Sequence, residues 1–374
     1  MPASKPNDFF KEKRSFTEIK QELFGKYFES WCAGCAGKLK DNSISSVLML
    51  DLHAGEDQAE VLLPENNNTF YLKSIIKRPA LNERLQVCMY DKSRSALEQA
   101  IETLAAHHNY NELANPPVIP TDAESKTQLA EQLNNGTTSL IFFDPFESVY
   151  ASQVLLQAVT TGRSDLFMLL RPEKITKAVA SKKVSQVIGE LFTDQLPDIS
   201  YYCRKEKSKE KRQKYILDQF IGLLKTKGLV TQLFKINLPD VEQPDHYLLF
   251  ASQDGGTYRN FKETILPYST YRQDGVPLFI ANEFPQPQLT LFEQKPDYSL
   301  PDLIERLTSR AGNYKFKSVD AIYEMDGLGT NYTRDNYVAA FEQLRKAGKI
   351  ELLNSKTMQT IRVVTPASIV KYRL

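Results

Sequence analysis

Disulfides, membrane spans and a dominant charge are all missing from this 374-residue sequence. Its four cysteines, Cys32, Cys35, Cys88 and Cys203, are too few to staple a chain of this length, so free thiols in a reducing compartment are expected. No apolar run approaches the ~20 residues needed to cross a bilayer, and the start MPASKPNDFFKEKR lacks the apolar core of a secretory signal. A cytoplasmic protein with no membrane partner is the expectation. Lys and Arg number 47 against 46 Asp and Glu, so no overall field gathers polyanions, and any nucleic-acid surface must be a local patch. Catalytic signatures are sparse as well. There is no GxxxxGK[ST] phosphate loop, and the four histidines join no Ser-His-Asp or Cys-His set. Cys32 and Cys35 form one CxxC without a second CxxC or CxxH, short of the four ligands of a closed zinc site, so no metal is expected.

What is present begins with residues 47–56, VLMLDLHAGE, an apolar run that ends on an acid and breaks into a small-residue turn. A buried parallel strand is apolar on both faces, and ligands of such sheets sit outside the strands' carboxyl ends, so residues 51–55 are expected to line a nucleotide mouth. Ahead of it, Phe16, Ile19, Leu23, Tyr27, Phe28 and Trp31 recur at three and four residues, which predicts an amphipathic helix over 15–38 that covers the sheet. Further strands are predicted at 84–90, followed by Asp91, near 117–119, with Asp122 just past it, at 138–143, followed by Asp144, and at 165–170. Helices are predicted between them, at 93–107 and 128–133. Such alternation specifies a mainly parallel sheet with right-handed crossovers.

The polar stretch 193–214, with its run RKEKSKEKRQK, reads as a surface insertion or a boundary. After it come a predicted helix at 216–227 and two strands, 229–236 and 247–251, whose connecting loop makes them pair antiparallel. A mixed sheet ending in such a hairpin is the arrangement of Rossmann-like methyltransferases. Residues 277–297 are proline-rich and aromatic, as an ordered linker is. Helices predicted at 300–309, 319–325 and 333–347, followed by a ribbon at 349–364, make a winged helix-turn-helix; Thr333 caps the third helix and Gly348 closes it. The expected fold class is α/β, a Rossmann-like methyltransferase-type mixed sheet over 1–276 with a C-terminal winged helix-turn-helix domain over 298–374.

Three carboxylates, Asp51, Asp91 and Asp122, fall at the carboxyl ends of successive predicted strands, where a bound nucleoside would lie. The acid at the second strand's end accepts hydrogen bonds from ribose hydroxyls in nucleotide folds, which assigns that role to Asp91. Asp122 suits an adenine amino group, and Asp51 with Gly55 shapes the loop at the cofactor's amino-acid or phosphate end; the cofactor is expected to lie across His53 and Ala54 as well, although a single histidine in a turn is more often incidental. Any one such Asp is better explained as a solvated turn residue; three in register favour the functional reading. The loop has one glycine, followed by Glu56 and Asp57. That negative charge opposes a pyrophosphate but not a sulfonium, which points to S-adenosylmethionine over nicotinamide or flavin cofactors.

Asp144-Pro145-Phe146 is the candidate catalytic motif, offering a hydrogen-bond acceptor and a stacking face to a flipped base. A tight turn with Phe146 plugging the core explains the same residues equally well. For nucleic acid, the candidate contacts are Arg204, Lys205, Lys211 and Arg212 in the basic run. In the winged domain they are Arg334, Asn336 and Tyr337, expected at the front of its third helix. A solvated helix face and a protein-docking surface are the respective alternatives.

The order of Lys26-Tyr27-Phe28 with Trp31, then LMLDLHAG, LIFFDPFE and YLLFASQDGGTYRNFKETI resembles the three-Cys-motif partner proteins, a bacterial Rossmann-like family related to methyltransferases. The stretch FKSVDAIYEMDGLGTNYTRDNYVAAFEQLRKAGKIEL is similar to the GMT-like winged domain appended there. The resemblance assigns Asp51, Ala54 and Gly55 to a DxFAGPG-like first motif and Asp144, Pro145 and Phe146 to a DPFG-like motif. This chain departs from it at His53, where the family has an aromatic, at Glu56-Asp57, where it has Pro-Gly, and at Glu147, where it has Gly. The resemblance implies S-adenosylmethionine as cofactor and a partner with a three-cysteine motif, an iron-sulfur protein. Two functions are therefore carried forward. One is a methyltransferase-like protein acting on nucleic acid; the other is a catalytically degenerate adaptor that binds nucleic acid or that partner. A nuclease built on Asp51, Asp91 and Asp144 ranks last.

Overall fold

A computed structural model describes residues 6–54, 69–120, 123–146, 148–181, 183–239, 246–282 and 298–373. Gly55, Asp122 and residues 283–297 of the expected linker lie outside them. The chain divides into two compact units, Phe10–Ile265 and Met1–Phe9 with Leu266–Leu374.

The Phe10–Ile265 unit is built on strands β1 (Val47–Asp51), β2 (Leu85–Met89), β3 (Thr138–Phe143), β4 (Ser164–Leu170), β5 (Val230–Ile236) and β6 (His246–Ser252). They lie in the order β2-β1-β3-β4-β6-β5. β1 runs parallel to β2 and β3, and β3 parallel to β4; β6 is antiparallel to both β4 and β5. This is the expected mixed sheet with its late antiparallel hairpin. The strand predicted near 117–119 shrinks to one parallel bridge, Val118 to Cys88. Pro116, Pro117 and Pro120 flank that bridge and have no N–H to extend it.

Successive strand residues face opposite sides. Ile141 and Phe143 join one core, with Leu50, Leu166, Met168 and Leu249. Phe142 faces the other side, against Phe24 at 4.6 Å between ring centres. That second face is an aromatic layer: Tyr27 stacks on Phe167 at 5.7 Å, and Phe250 on Phe261 at 4.3 Å. Full burial of each such ring is worth ~1.5–3 kcal/mol, so the amphipathic segment at the amino end is held mainly by this contact. The segment itself is not one regular helix. Ser15 and Glu18 form a capping box before a short α turn, residues Lys20–Phe24 adopt a π-helix, and α1 (Gly25–Lys40) follows.

Helices α2 (Thr69–Ile76), α3 (Arg94–Ala105), α4 (Ala123–Asn134), α5 (Val149–Thr161), α6 (Pro172–Ala180), α7 (Gln186–Phe192), α8 (Leu196–Lys205), α9 (Lys209–Thr226) and α10 (Gly255–Ile265) complete the unit. The basic run is helical over most of its length, as the solvated-helix-face alternative has it. It ends α8 and fills the first turns of α9, whose N-cap, Ser208, accepts a hydrogen bond from the Lys211 N–H.

The second unit holds α11 (Leu300–Ser309), α12 (Val319–Asp326) and α13 (Arg334–Lys346), then β7 (Ile350–Leu353), β8 (Thr360–Ile361) and β9 (Ile369–Tyr372). The sheet order is β9-β7-β8, so the wing is three-stranded, with one strand more than the expected ribbon. Leu303, Leu307, Ile322, Tyr337, Phe341 and Val370 form its core. Val276 belongs to the same core, and the turn beside it is tied on by Asn336 Nδ2 donating to Gly275 O at 2.9 Å. Among the described residues, no helix is long and apolar enough to cross a membrane.

Candidate functional site

The strand order changes direction at β1, with β2 on one side and β3 on the other, and that switch point is where open α/β sheets bind ligands at the carboxyl ends of their strands. Asp51 ends β1, in register with Met89 of β2 and Phe142 of β3. Asp91 and Asp144 follow those strands at the same edge. The structure thus gathers Asp51, His53, Ala54, Asp91 and Asp144 at one edge of the sheet.

The carboxylates differ in what they hold. Asp51 is fully buried. Its Oδ1 accepts the His53 N–H at 3.0 Å, and its Oδ2 lies 2.9 Å from the Lys20 ammonium, itself buried. Lys20 Nζ also donates to the His53 carbonyl at 2.8 Å and sits over the Phe142 ring at 5.0 Å. The π-helix delivers it there. A π turn shifts side-chain direction relative to an α turn, and such turns are frequent at functional sites. The loop after β1 is closed by Ala54 N–H donating to Tyr90 O at 3.1 Å, and the His53 ring meets Phe16 edge-on at 4.7 Å.

Asp91 is half-buried, and its Oδ1 accepts the Ser93 N–H at 2.8 Å just before α3. Beside it, Tyr90 packs against Tyr150 of α5 at 4.3 Å between ring centres. Tyr150 Oη is buried with no hydrogen-bond partner among the described residues, and burial pushes this phenol up. Asp144 is 2 % exposed and accepts the Phe146 N–H at 3.0 Å. The Pro145 carbonyl takes Ser152 Oγ–H at 2.5 Å. Phe146 is half-buried, edge-on to Phe220 at 5.6 Å, so the Asp-Pro turn and the core-plugging ring are both present. Among the described residues no group of three or more His, Cys, Asp or Glu is placed to hold a metal ion, so Asp51, Asp91 and Asp144 do not form a nuclease-like cluster.

Of the nucleic-acid candidates, Arg204, Lys205 and Lys211 are exposed and Arg212 half-buried. In the winged unit the placement differs from expectation. Asn336 and Tyr337 are 3 % and 0 % exposed and point into the core instead of out from the helix front. Asn336 completes the capping box with Thr333, and Tyr337 Oη donates to Asp326 Oδ2 at 2.8 Å. Helical spacing explains this: an N3 residue folds back to the cap, and Tyr337 shares a face with Phe341 and Leu344. Arg334 remains near the surface, paired with Asp320 at 2.7 Å. All four cysteines are buried free thiols.

Sequence reading missed Lys20, Tyr90 and Tyr150. The signal for Lys20 was available, since it lies four residues after Phe16 and three before Leu23, a cation on an otherwise apolar face.

Residues 280–357 match the family of GMT-like wHTH domains. No curated protein sequence matches the chain. Among solved structures, the methyltransferase domain of bacterial CtHen1-C is similar at 12% identity, covering 61% of this chain and 100% of that one with a TM-score of 0.29. The plantazolicin methyltransferase BpumL, solved in complex with SAH, is similar at 14% identity, 63% and 86% coverage and a TM-score of 0.28. The strand order of this chain, not those scores, carries its fold, and a GMT-like winged helix-turn-helix domain forms its carboxyl-terminal part.

Proposed function

We propose that the Phe10–Ile265 unit is an S-adenosylmethionine-dependent methyltransferase-like domain acting on nucleic acid, and that the winged unit docks the substrate or a partner. The observation that carries this reading is the switch point at β1, which sets Asp51, Asp91 and Asp144 along one edge of a methyltransferase-type sheet. The residues there suit a nucleoside. Asp91 takes the ribose hydroxyls, and the Tyr90 and Tyr150 rings flank its strand end, with the partnerless Tyr150 Oη available to a polar edge of the base. Asp122 and Gly55 complete the assignment from outside the described residues.

When bound, the cofactor supplies an electrophilic methyl group on a sulfonium. The protein's part is alignment and electrostatics. Asp144, held by the Phe146 N–H, accepts a hydrogen bond from the target amino group and offsets positive charge developing on its nitrogen. Phe146 offers the stacking face. A transfer assay with methyl-labelled cofactor and pools of single-stranded RNA and DNA tests this. Labelled strands from the native protein, falling ~10²–10³-fold in Asp144→Ala, support it; an unlabelled pool sinks it.

One observation favours a second reading, the catalytically degenerate adaptor. Lys20 occupies Asp51 and the His53 carbonyl, so this acid is engaged by the protein's own cation. An adaptor of this kind binds nucleic acid, or a partner with a three-cysteine motif, and transfers no methyl group.

A further inference from the structure

A cleft of about 490 Å³ opens beside Phe146, and four lysines, Lys92, Lys174, Lys177 and Lys183, line it. Its volume is in the ~300–1,000 Å³ range of ligand sites. The lysines arrive from three separate places: the turn after β2, helix α6, and the segment between α6 and α7. No acidic side chain is among the described residues that line it; the remaining polar ones are serines. Lys177 and Lys183 are exposed and have no ion-pair partner among the described residues. Contrast the basic run on α9, where Lys209 pairs with Glu173 and Lys214 with Asp218. In a chain of net charge +1, four cations around one cleft are a local concentration of positive potential, the kind of field that gathers an anion.

The rest of the lining specifies which anion. Ser148, the N-cap of α5, is on the wall, so the positive end of a thirteen-residue helix faces the cleft beside the lysines. Serine hydroxyls and lysines are the groups that hold phosphate oxygens without reading sequence. Part of the lining is apolar: half-buried Phe146 and Val149, which is 61% exposed, give a base a surface to lie on. A cationic groove with an aromatic beside it is the recognition mode of single strands, where phosphates track the charge and bases stack.

We infer that this lysine cleft holds the phosphodiester backbone of a single-stranded nucleic acid and leads one base to Asp144 and Phe146. The inference rests on the nucleic-acid reading above and names the surface through which it acts. It assigns substrate binding to Lys92, Lys174, Lys177 and Lys183 ahead of the basic run at 204–212.

The test is fluorescence anisotropy of the full chain with a labelled mixed-sequence single strand, over a series of salt concentrations. The paired variant Lys177→Gln/Lys183→Gln alters exposed side chains outside the cofactor edge. It is expected to bind ~10-fold more weakly and to flatten the slope of log K against log salt by about 1.4, from ~0.7 per lost phosphate contact. Lys205→Gln/Lys211→Gln is expected to change affinity less than twofold. Equal binding by native protein and the cleft variant overturns the inference, as does a free mononucleotide competing as well as the strand. S-adenosylmethionine titration of the same samples separates the two claims. Cofactor binding with a cleft that does not matter overturns the cleft alone; strand binding through the cleft without cofactor binding supports it and sinks the methyltransferase reading.

Discussion

Lys20 and Asp51 form a buried ion pair of 2.9 Å that joins the amino-terminal π-helix to the end of the central strand. Neither group is solvated, and the pair is completed by the His53 backbone on both sides: its N–H on Asp51 and its carbonyl on Lys20. The loop after β1 is therefore shaped by a side chain from a different element. That geometry makes a stability prediction.

Lys20→Met leaves the Asp51 carboxylate buried without its cation and is expected to cost roughly 3–5 kcal/mol. Removing both charges in Lys20→Met/Asp51→Leu is expected to recover part of that loss, because no buried charge is left unpaired while the His53 N–H and carbonyl lose their partners. Chemical denaturation of the four proteins in the cycle measures the coupling. Independent, additive losses contradict the pair.

The sheet was legible in the sequence because buried parallel strands are written as apolar runs. Residues 138–143 were predicted as a strand, and that is the extent of β3; 300–309 likewise is the extent of α11. The Rossmann-like mixed order followed from the hairpin of β5 and β6. What escaped was set by tertiary context. The π-helix at Lys20 has no local code, since its side-chain periodicity reads as α. The helix expected at 216–227 is α9, but it starts seven residues earlier, at Lys209, because the charged first turns carry too few apolar side chains to show the helical period. Asn336 and Tyr337 read as a groove-reading front because a sequence does not say which side of a helix the core takes.

Trp31 is the sole tryptophan, and its indole N–H donates to Asp165 Oδ2 at 3.2 Å. Burial raises the Asp165 carboxyl to about 6, with Asp254 adding to it, against hydrogen bonds from Ser252 and Trp31 that lower it. Trp31 emission is expected to titrate with a midpoint near pH 6 and to lose that step in Asp165→Asn. With a folded value above the unfolded one, the protonated carboxyl favours the folded state, so this group's contribution is present below pH ~4 and is lost as pH rises through 6. A flat emission profile between pH 4 and 8 contradicts the assignment.

In the winged unit, Asp326 is the hub. It accepts from Tyr314 at 2.7 Å, Tyr337 at 2.8 Å and Arg306 at 2.8 Å. Burial alone would raise its carboxyl, but the two phenols and the guanidinium outweigh it and the net shift is downward. A depressed carboxyl contributes stability above its unfolded value, so the unit is expected to weaken as pH falls below ~4. Asp326→Ala is expected to cost ~2–4 kcal/mol by stranding buried donors, and Tyr337→Phe ~1 kcal/mol. Arg334→Ala, at a half-exposed pair, is expected to cost under ~1 kcal/mol. Thermal unfolding of the three variants checks the ranking, and an Arg334 effect equal to that of Asp326 contradicts it.

Asp91 carries the ribose role in the proposed site, and its side chain is only half-buried. Asp91→Ala is expected to keep the fold, with unfolding temperature changed by no more than a few degrees, while weakening nucleoside binding by at least tenfold, as the loss of a charged hydrogen-bond acceptor implies. Equal affinity in the variant removes Asp91 from the site.

The edge formed by β1, β2 and β3 is expected to bind an adenosyl cofactor. Isothermal titration of the purified chain with S-adenosylmethionine and with S-adenosylhomocysteine measures this. Micromolar binding of both, lost in Asp91→Ala, is the predicted result. No heat from either ligand with the native protein contradicts the methyltransferase reading and leaves the adaptor.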